Sequence, residues 1–385
     1  MSEIKVNSIK GVGASAAAIT VNNTDGTCAA NISSVSGGQL GNRNMIINGA
    51  MQISQRGTTF ASAQHTAYQL DRYKFVNGSS GVFTVSQSTT SPDGFGKSWK
   101  VVPTTTDTPS GSETIRFMQV IEGQNLQSLG KGTSGAKKSV LSFYVKTNKS
   151  GVYSVLLYDA DNTRQFNGTY TVSDTNWNRY TIDIPADTSG PYANDNLTSL
   201  EIIFHLAAAS GRNDGASVPT TWISYGGTAS EARGHTVTFA DSTSNEFYIT
   251  GIQYEVNESG VATDFEHRSF AQELSLCQRY YYTTRGGNSG NPNSDFAGFF
   301  GTPLANGTGG YGIAKFPVPM RATPTIVLYD ATSTAGKFTQ NGINYFTGSA
   351  GNIQNNGFSL ISGASGLSSG TNYTLTAGFT ASAEL

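Results

Sequence analysis

Charge is scarce in this sequence: Asp, Glu, Lys and Arg make up 13% of 385 residues, about half the usual share. The formal net charge is −2, and no Lys/Arg block or acidic tail stands out. Nucleic-acid binding leaves a basic footprint, so that class is excluded. No apolar run approaches the roughly 20 residues of a membrane-spanning helix. Met1 to Lys10 lacks the apolar core of a secretory signal. The two cysteines, Cys28 and Cys277, lie far apart in the chain. They fit free thiols in an intracellularly made product and give no support to a disulfide framework. The histidines at 65, 205, 235 and 267 show no metal-ligand spacing, and no heptad repeat appears.

What is present points one way. Glycine reaches 45, tyrosine 18 and phenylalanine 20, with the aromatics inside short alternating runs and Gly, Asn, Asp and Ser between them. That pattern predicts an all-β chain with many turns, too long for one small domain. Val140–Val145, Val152–Tyr158, Tyr180–Ile184, Leu200–Leu206 and Glu246–Tyr254 read as strands of a β-sandwich or jelly roll. Residues 1–41 hold two short apolar stretches, Ile4–Ile9 and Ala17–Val21, too little to build a core alone, and are expected to dock on a partner.

One helix interrupts the strands. Ser269 with Gln272 forms a capping box, after which Phe270, Leu274, Cys277 and Tyr281 fall on one face. Residues 269–284 are thus a helical connector between a sandwich over 42–268 and a C-terminal β-sandwich over 285–385. In that last unit three prolines, Pro317, Pro319 and Pro324, predict an edge or crossover. A strand over Tyr373–Ala381 closes it, with the C-terminus expected to be tied down.

The catalytic motifs that the sequence approaches fail on chemistry. Gly366-Leu367-Ser368-Ser369-Gly370 has the spacing of a hydrolase nucleophile turn, but the last histidine is His267 and a strand follows. Gly96-Lys97-Ser98 lacks the earlier glycine of a phosphate loop: Ser91 stands there, followed by Pro92. Gly11-Val12-Gly13 lacks the third glycine of a dinucleotide fingerprint. Asp159-Ala160-Asp161 opens like a calcium loop, but Thr163 and Arg164 replace the next ligand and the glycine, so a hairpin turn is the reading. No catalytic residue, metal or cofactor is expected. Sugar binding needs only an aromatic ring for stacking and polar side chains for the hydroxyls. Trp222 and Tyr225, with Arg212 and Asp214 upstream, offer that chemistry, as do Tyr311 and Tyr345 in Gly/Asn-rich surroundings. A core or edge position for Trp222 is the competing reading.

Three groups of residues carry a family resemblance. Asn42-Arg43-Asn44-Met45-Ile46-Ile47-Asn48-Gly49-Ala50-Met51-Gln52-Ile53-Ser54-Gln55-Arg56-Gly57-Thr58, with Tyr68-Gln69-Leu70-Asp71-Arg72-Tyr73, is similar to the opening of a domain of phage tail-fibre and appendage proteins. Ile249–Glu255, Ala262–Phe270 and Glu273–Tyr281 resemble its close. The run Lys5–Lys10 with Thr24–Thr27 resembles virion proteins of marine and cyanobacterial phages, and Pro319-Met320-Arg321-Ala322-Thr323-Pro324 recurs more loosely in such fibres.

The resemblance implies a jelly roll like carbohydrate-binding modules, carried on a virion as a homotrimer. It implies a non-enzymatic structural protein made in the host cytoplasm. Residues 1–41 would attach to phage tail or capsid proteins, and host surface polysaccharide would be the outward partner, with no nucleic acid and no membrane insertion. A head-bound fibre or capsid decoration is the alternative, then a polysaccharide depolymerase. Asp71 and Arg72 are expected to form an internal ion pair or to bond the backbone, and Arg56 to cap a turn.

Overall fold

The computed structural model describes residues 8–9, 19–21, 24, 28–30, 41–63, 67–285, 299–304, 309–340, 344–362 and 374–385. His65 and the Gly366–Gly370 motif lie outside them. Strands β1 (Ser8–Ile9), β2 (Ile19–Val21) and β3 (Cys28–Ala30) form a small antiparallel sheet in that order. The two N-terminal apolar stretches therefore pair with each other.

Next come β4 (Thr59–Ala63), β5 (Ala67–Tyr68), β6 (Lys74–Asn77), β7 (Val82–Ser88), β8 (Ser98–Thr105) and β9 (Thr114–Glu122). They are followed by β10 (Ser139–Thr147), β11 (Gly151–Asp159), β12 (Arg164–Val172), β13 (Asn178–Ile184), β14 (Thr198–Ala208), β15 (Ile223–Ser224) and β16 (Phe247–Val256). These strands build two antiparallel sheets, ordered β13-β10-β16-β8-β7-β4 and β15-β12-β11-β14-β9-β6-β5. The fold is all-β, a β-sandwich of jelly-roll type, as the composition predicts.

The inner faces of both sheets enclose an aromatic core. Phe117 stacks on Phe204 at 4.8 Å, and Trp99 lies 4.5 Å from Phe117. In β9, Ile115, Phe117 and Ile121 point into this core. Met118 and Val120 face the other way, yet they too are buried, in a second layer with Leu156, Ile203 and the terminal Leu385. A sheet covered on both faces needs apolar residues at successive positions rather than strict alternation. That is why Leu200–Leu206 reads Leu-Glu-Ile-Ile-Phe-His-Leu. The turn at Asp159–Asn162 is a hairpin closed by Asn162 N donating to Asp159 Oδ1 at 3.0 Å.

Helix α1 (Phe270–Gln278) starts at the capping box, with both reciprocal bonds in place. Its buried face differs from expectation. Glu273 and Cys277 are buried, Tyr280 follows them inward, and Phe270 is 59% exposed. The helix packs through a carboxylate because Asn48 N donates to Glu273 Oε1. Burial pushes the Cys277 thiol well up, with the neighbouring carboxylates adding to the effect. It is a structural thiol.

The C-terminal unit comprises β17 (Tyr281–Thr283), β18 (Phe299–Pro303), β19 (Gly309–Lys315), β20 (Thr325–Tyr329), β21 (Lys337–Gln340), β22 (Asn344–Thr347), β23 (Ser349–Gly351), β24 (Gly357–Ser362) and β25 (Leu375–Ser382). The last strand is its centre: β25 pairs with β17, β18, β20 and β21. The prolines occupy the crossover from β19 to β20, where no ladder hydrogen bond is required.

Candidate functional site

The residues that carry the family resemblance turn out to knit three parts of the molecule together. Asn48 Nδ2 donates to the carbonyls of Ile53 and Asp71, and its Oδ1 accepts from Ile53 N. Asn44 closes the sandwich onto β16 through Ile252 O and Tyr254 N. Gly49 is required there, because a Cβ would sit 2.2 Å from the Ile252 carbonyl oxygen. Gly251 takes φ +63°, and a Cβ on it would meet Phe95 and Tyr144 within 2.8 Å.

Asp71 and Arg72 do not pair with each other. Asp71 accepts from Gln55 N at 2.7 Å and Gln55 Nε2 at 2.6 Å. Arg72 pairs with Glu384, donates to Val120 O at 2.6 Å and lies 3.4 Å from the Tyr280 ring centroid. Arg56 caps no turn either: it pairs with Glu384 at 3.0 Å and stacks over Tyr281 at 3.6 Å. Of the two expectations, bonding to the backbone is the one found, through Gln55 N to Asp71 and Arg72 to Val120 O. Arg279 adds a bidentate pair to Glu122 at 3.0 and 2.8 Å. Arg321 bonds both Asn196 O and Ala383 O. The sandwich, α1 and the C-terminal unit are clamped at this seam.

An open cleft of about 710 Å³ lies along the same seam, between α1 and Val318–Pro319, with Ala271 and Leu276 on its floor. Its charged rim is already committed. Arg268 donates to Ile46 O and Asn44 O, Arg279 holds Glu122, and Glu266 accepts from Asn44 N at 2.8 Å. Gln272 Oε1 is taken by the helix cap. The Gln272 amide nitrogen, Asn42 and the exposed His267, whose ring rests beside Phe95 and Phe265, remain open to a ligand. A partly apolar lining with a few hydrogen-bonding groups suits a polar ligand.

The other sequence candidates fall into two places. Trp222 is buried against Phe166, with its indole N–H donating to Pro185 O at 3.0 Å, and it has no free face to stack on a sugar. Tyr225 donates to Glu231 Oε1 at 2.7 Å, a carboxylate that Arg116 and Arg212 also hold. Burial, with Glu231 beside it, pushes the Tyr225 hydroxyl up to about 12. Asp214 is exposed and doubly bonded to Arg233. These four serve a polar loop, residues 209–238, that crosses the outer face of the seven-stranded sheet. Tyr311 and Tyr345, by contrast, are 54% and 45% exposed on the C-terminal unit.

That loop carries one buried histidine, His235, and another, His205, lies on β14 close by. His235 Nδ1 accepts from Ser154 N at 3.2 Å, and Nε2 meets Val237 O at 2.9 Å, so the ring is neutral. His205, placed by its apolar strand, bonds Thr114 Oγ1 through Nδ1 at 3.2 Å. Desolvation lowers His235 to about 4 and His205 well below its ordinary value, the latter helped by His235, Arg116 and Arg212. Both folded-state values are depressed, so acid favours the unfolded or opened chain. Stability should fall as pH drops below ~6.5 and go on falling to about 4, by about 3 kcal/mol for His235 alone. Hydrogen exchange of residues 209–238 between pH 7 and 4.5 checks this; protection unchanged across that interval would refute it.

No family model matches the chain, and no curated protein matches it. Solved structures do show partial likeness. One is the enzymatically active domain of tailspike protein 4 of bacteriophage CBA120, at 12% identity and TM-score 0.28, over 55% of this chain and 21% of that one. Another is the family 11 carbohydrate-binding module of Clostridium thermocellum, at 10% identity and TM-score 0.25, over 55% and 97%. A third is the CBM22-1 xylan-binding domain of Paenibacillus barcinonensis Xyn10C, at 8% identity and TM-score 0.27, over 58% and 99%. The matched part thus spans about a fifth of the tailspike chain's length. The fold assigned above rests on strand pairing alone.

Proposed function

We propose that this chain is a non-catalytic appendage protein of a bacterial virus that adsorbs to glycan on the host surface. The observation that carries the glycan reading is the seam cleft, where apolar side chains lie beside free hydrogen-bonding groups and the two rim arginines are held by internal partners. Such a surface favours a polar, uncharged chain such as a polysaccharide over nucleic acid or an ion. The virion reading is supported by the resemblance of Asn42–Thr58, Tyr68–Tyr73, Ile249–Glu255, Ala262–Phe270 and Glu273–Tyr281. In this account residues 1–41 attach to the particle, and the clamped sandwich and C-terminal unit project from it. Weak individual contacts would be multiplied over several copies.

Retention of the purified protein on immobilised host surface polysaccharide tests this. Wild type should be retained without releasing reducing ends. Leu276→Glu puts a charge on the cleft floor with little change in helix propensity, and should weaken retention about tenfold or more. Unchanged retention in that variant would remove the cleft from the account, and release of reducing sugar would point to a depolymerase.

A further inference from the structure

Among the described residues, one lysine is buried together with its ion-pair partners. The side chains of Lys131 and Asp159 are 4% and 0% exposed, whereas the lysines of the other ion pairs, Lys100, Lys138 and Lys149, are 24% exposed or more. Lys131 belongs to the loop between β9 and β10, and its ammonium lies 2.5 Å from Asp159 Oδ2 at the end of β11. The carbonyls of Ser189 and Gly190 hold the same nitrogen at 2.9 and 2.7 Å. The rings of Tyr192 and Trp222 lie over it.

A buried ion pair alone calls for no chemistry, but three further features surround this one. Asp159 Oδ1 accepts from Asn162 N at 3.0 Å and from Asn162 Nδ2 at 3.1 Å, the two-donor arrangement that stabilises a tetrahedral oxyanion. A second carboxylate oxygen, Asp187 Oδ2, stands 3.1 Å from Lys131 Nζ. Arg164 pairs with Asp187 and favours its ionised form, which can accept a proton. Beside the pair is a void of about 10 Å³ walled by Lys131, Asp187, Tyr192 and Trp222, room for one water. The buried Tyr192 hydroxyl has no partner among the described residues.

We propose that Lys131 and Asp159 condense to an amide, a covalent cross-link between the β9–β10 loop and the β11–β12 hairpin. The ion pair first shifts its shared proton to Asp159 Oδ2, leaving Nζ an amine with a free lone pair. Nζ bonds to Cγ, and the carbonyl electron pair moves onto Oδ1, where Asn162 holds it. Asp187 takes a second proton from the nitrogen and delivers it to Oδ2. The Cγ–Oδ2 bond then breaks with its electron pair, the carbonyl reforms, and water leaves toward the void. Two protons leave the nitrogen and two arrive on the departing oxygen, so charge and atoms balance without a co-reactant. Burial favours the product, because an amide carries no charge while the ion pair keeps two out of water. Fixed proximity supplies the rate. The link forms once per chain without turnover. Unlike a disulfide it needs no oxidant, and it restricts the unfolded chain in the same way. It neither rests on the glycan reading nor touches the seam cleft.

Mass spectrometry of the full chain after complete denaturation tests the bond directly. Wild type should be lighter by one water than its sequence requires, and Lys131→Arg and Asp159→Ala should regain that water. Trypsin should fail to cut after Lys131 and should release fragment 117–137 joined to fragment 150–164. Asp187→Asn removes the proton carrier and should slow linkage at least tenfold. Wild type with its full mass and normal cleavage after Lys131 overturns the proposal, and that measurement needs no variant to fold. A missing water that persists in Lys131→Arg overturns it too, since the loss then lies elsewhere in the chain. Linkage as fast in Asp187→Asn as in wild type overturns the role given to Asp187. Glycan retention enters none of these measurements, so failure of the glycan reading and failure of this one are separable.

Discussion

Arg72→Met is expected to destabilise the protein by about 3–5 kcal/mol, the largest effect of any single change at the seam. Arg72 is 1% exposed and makes three contacts at once: the Glu384 carboxylate, the Val120 carbonyl and the Tyr280 ring. Methionine retains the volume but leaves Glu384 with Arg56 as its remaining cation and the Val120 carbonyl without its donor. Removing one partner of a buried pair costs more than the pair contributes, because the survivor stays desolvated with less compensation. Glu384→Gln in the same background should recover part of the loss, and a double-mutant cycle read by chemical denaturation measures the coupling. Proteolysis should show where the damage lies, with cleavage near residues 281–285 before the sandwich is lost. A change within ±0.5 kcal/mol, the size of an ordinary surface substitution, would mean the clamp is not formed as described.

Lys131→Met is expected to rival it, again at about 3–5 kcal/mol, but inside the sandwich. The Lys131 ammonium sits 2.5 Å from Asp159 and 3.1 Å from Asp187, and donates to the carbonyls of Ser189 and Gly190. Trp222 and Tyr192 roof it, each about 5 Å from the nitrogen. Asp159 is fully buried, so without Lys131 its charge is left to the neutral Asn162 amide. Arg164 continues to hold Asp187 at 2.8 Å, which limits the damage on that side. Lys131→Met with Asp159→Asn should be closer to wild type than Lys131→Met alone. Equal stabilities for the two would show that the buried carboxylate is compensated elsewhere.

These two clusters also mark where sequence reading reaches its limit. Strand positions were legible because alternation and turn residues are local: Val140–Val145 lies within β10, and Val152–Tyr158 within β11. The capping box was legible for the same reason, since Ser269 and Gln272 are three residues apart. The helix face was not. Periodicity assigns Phe270 to the core, but a carboxylate occupies that side because Asn48, from a distant segment, waits for it beside Arg268. Arg72 and Glu384 are 312 residues apart, and nothing local couples them. Trp222 illustrates the opposite error, in which composition suggests a sugar platform while Pro185 and Lys131 claim the ring. Tyr311 and Tyr345 were legible as candidates from their Gly/Asn-rich surroundings, but their exposure, 54% and 45%, is a property of the folded chain. The cleft likewise depends on which rim charges are satisfied, a property of the folded chain.

Competition for adsorption tests the central claim most directly. Host cells are first saturated with the purified protein, and adsorption of the virus proposed to carry it is then measured. An appendage that recognises host glycan should lower adsorption in proportion to the amount bound, and Leu276→Glu should lower it far less. Full adsorption to cells that demonstrably carry the protein would contradict the account, and would leave a particle component that does not meet the host.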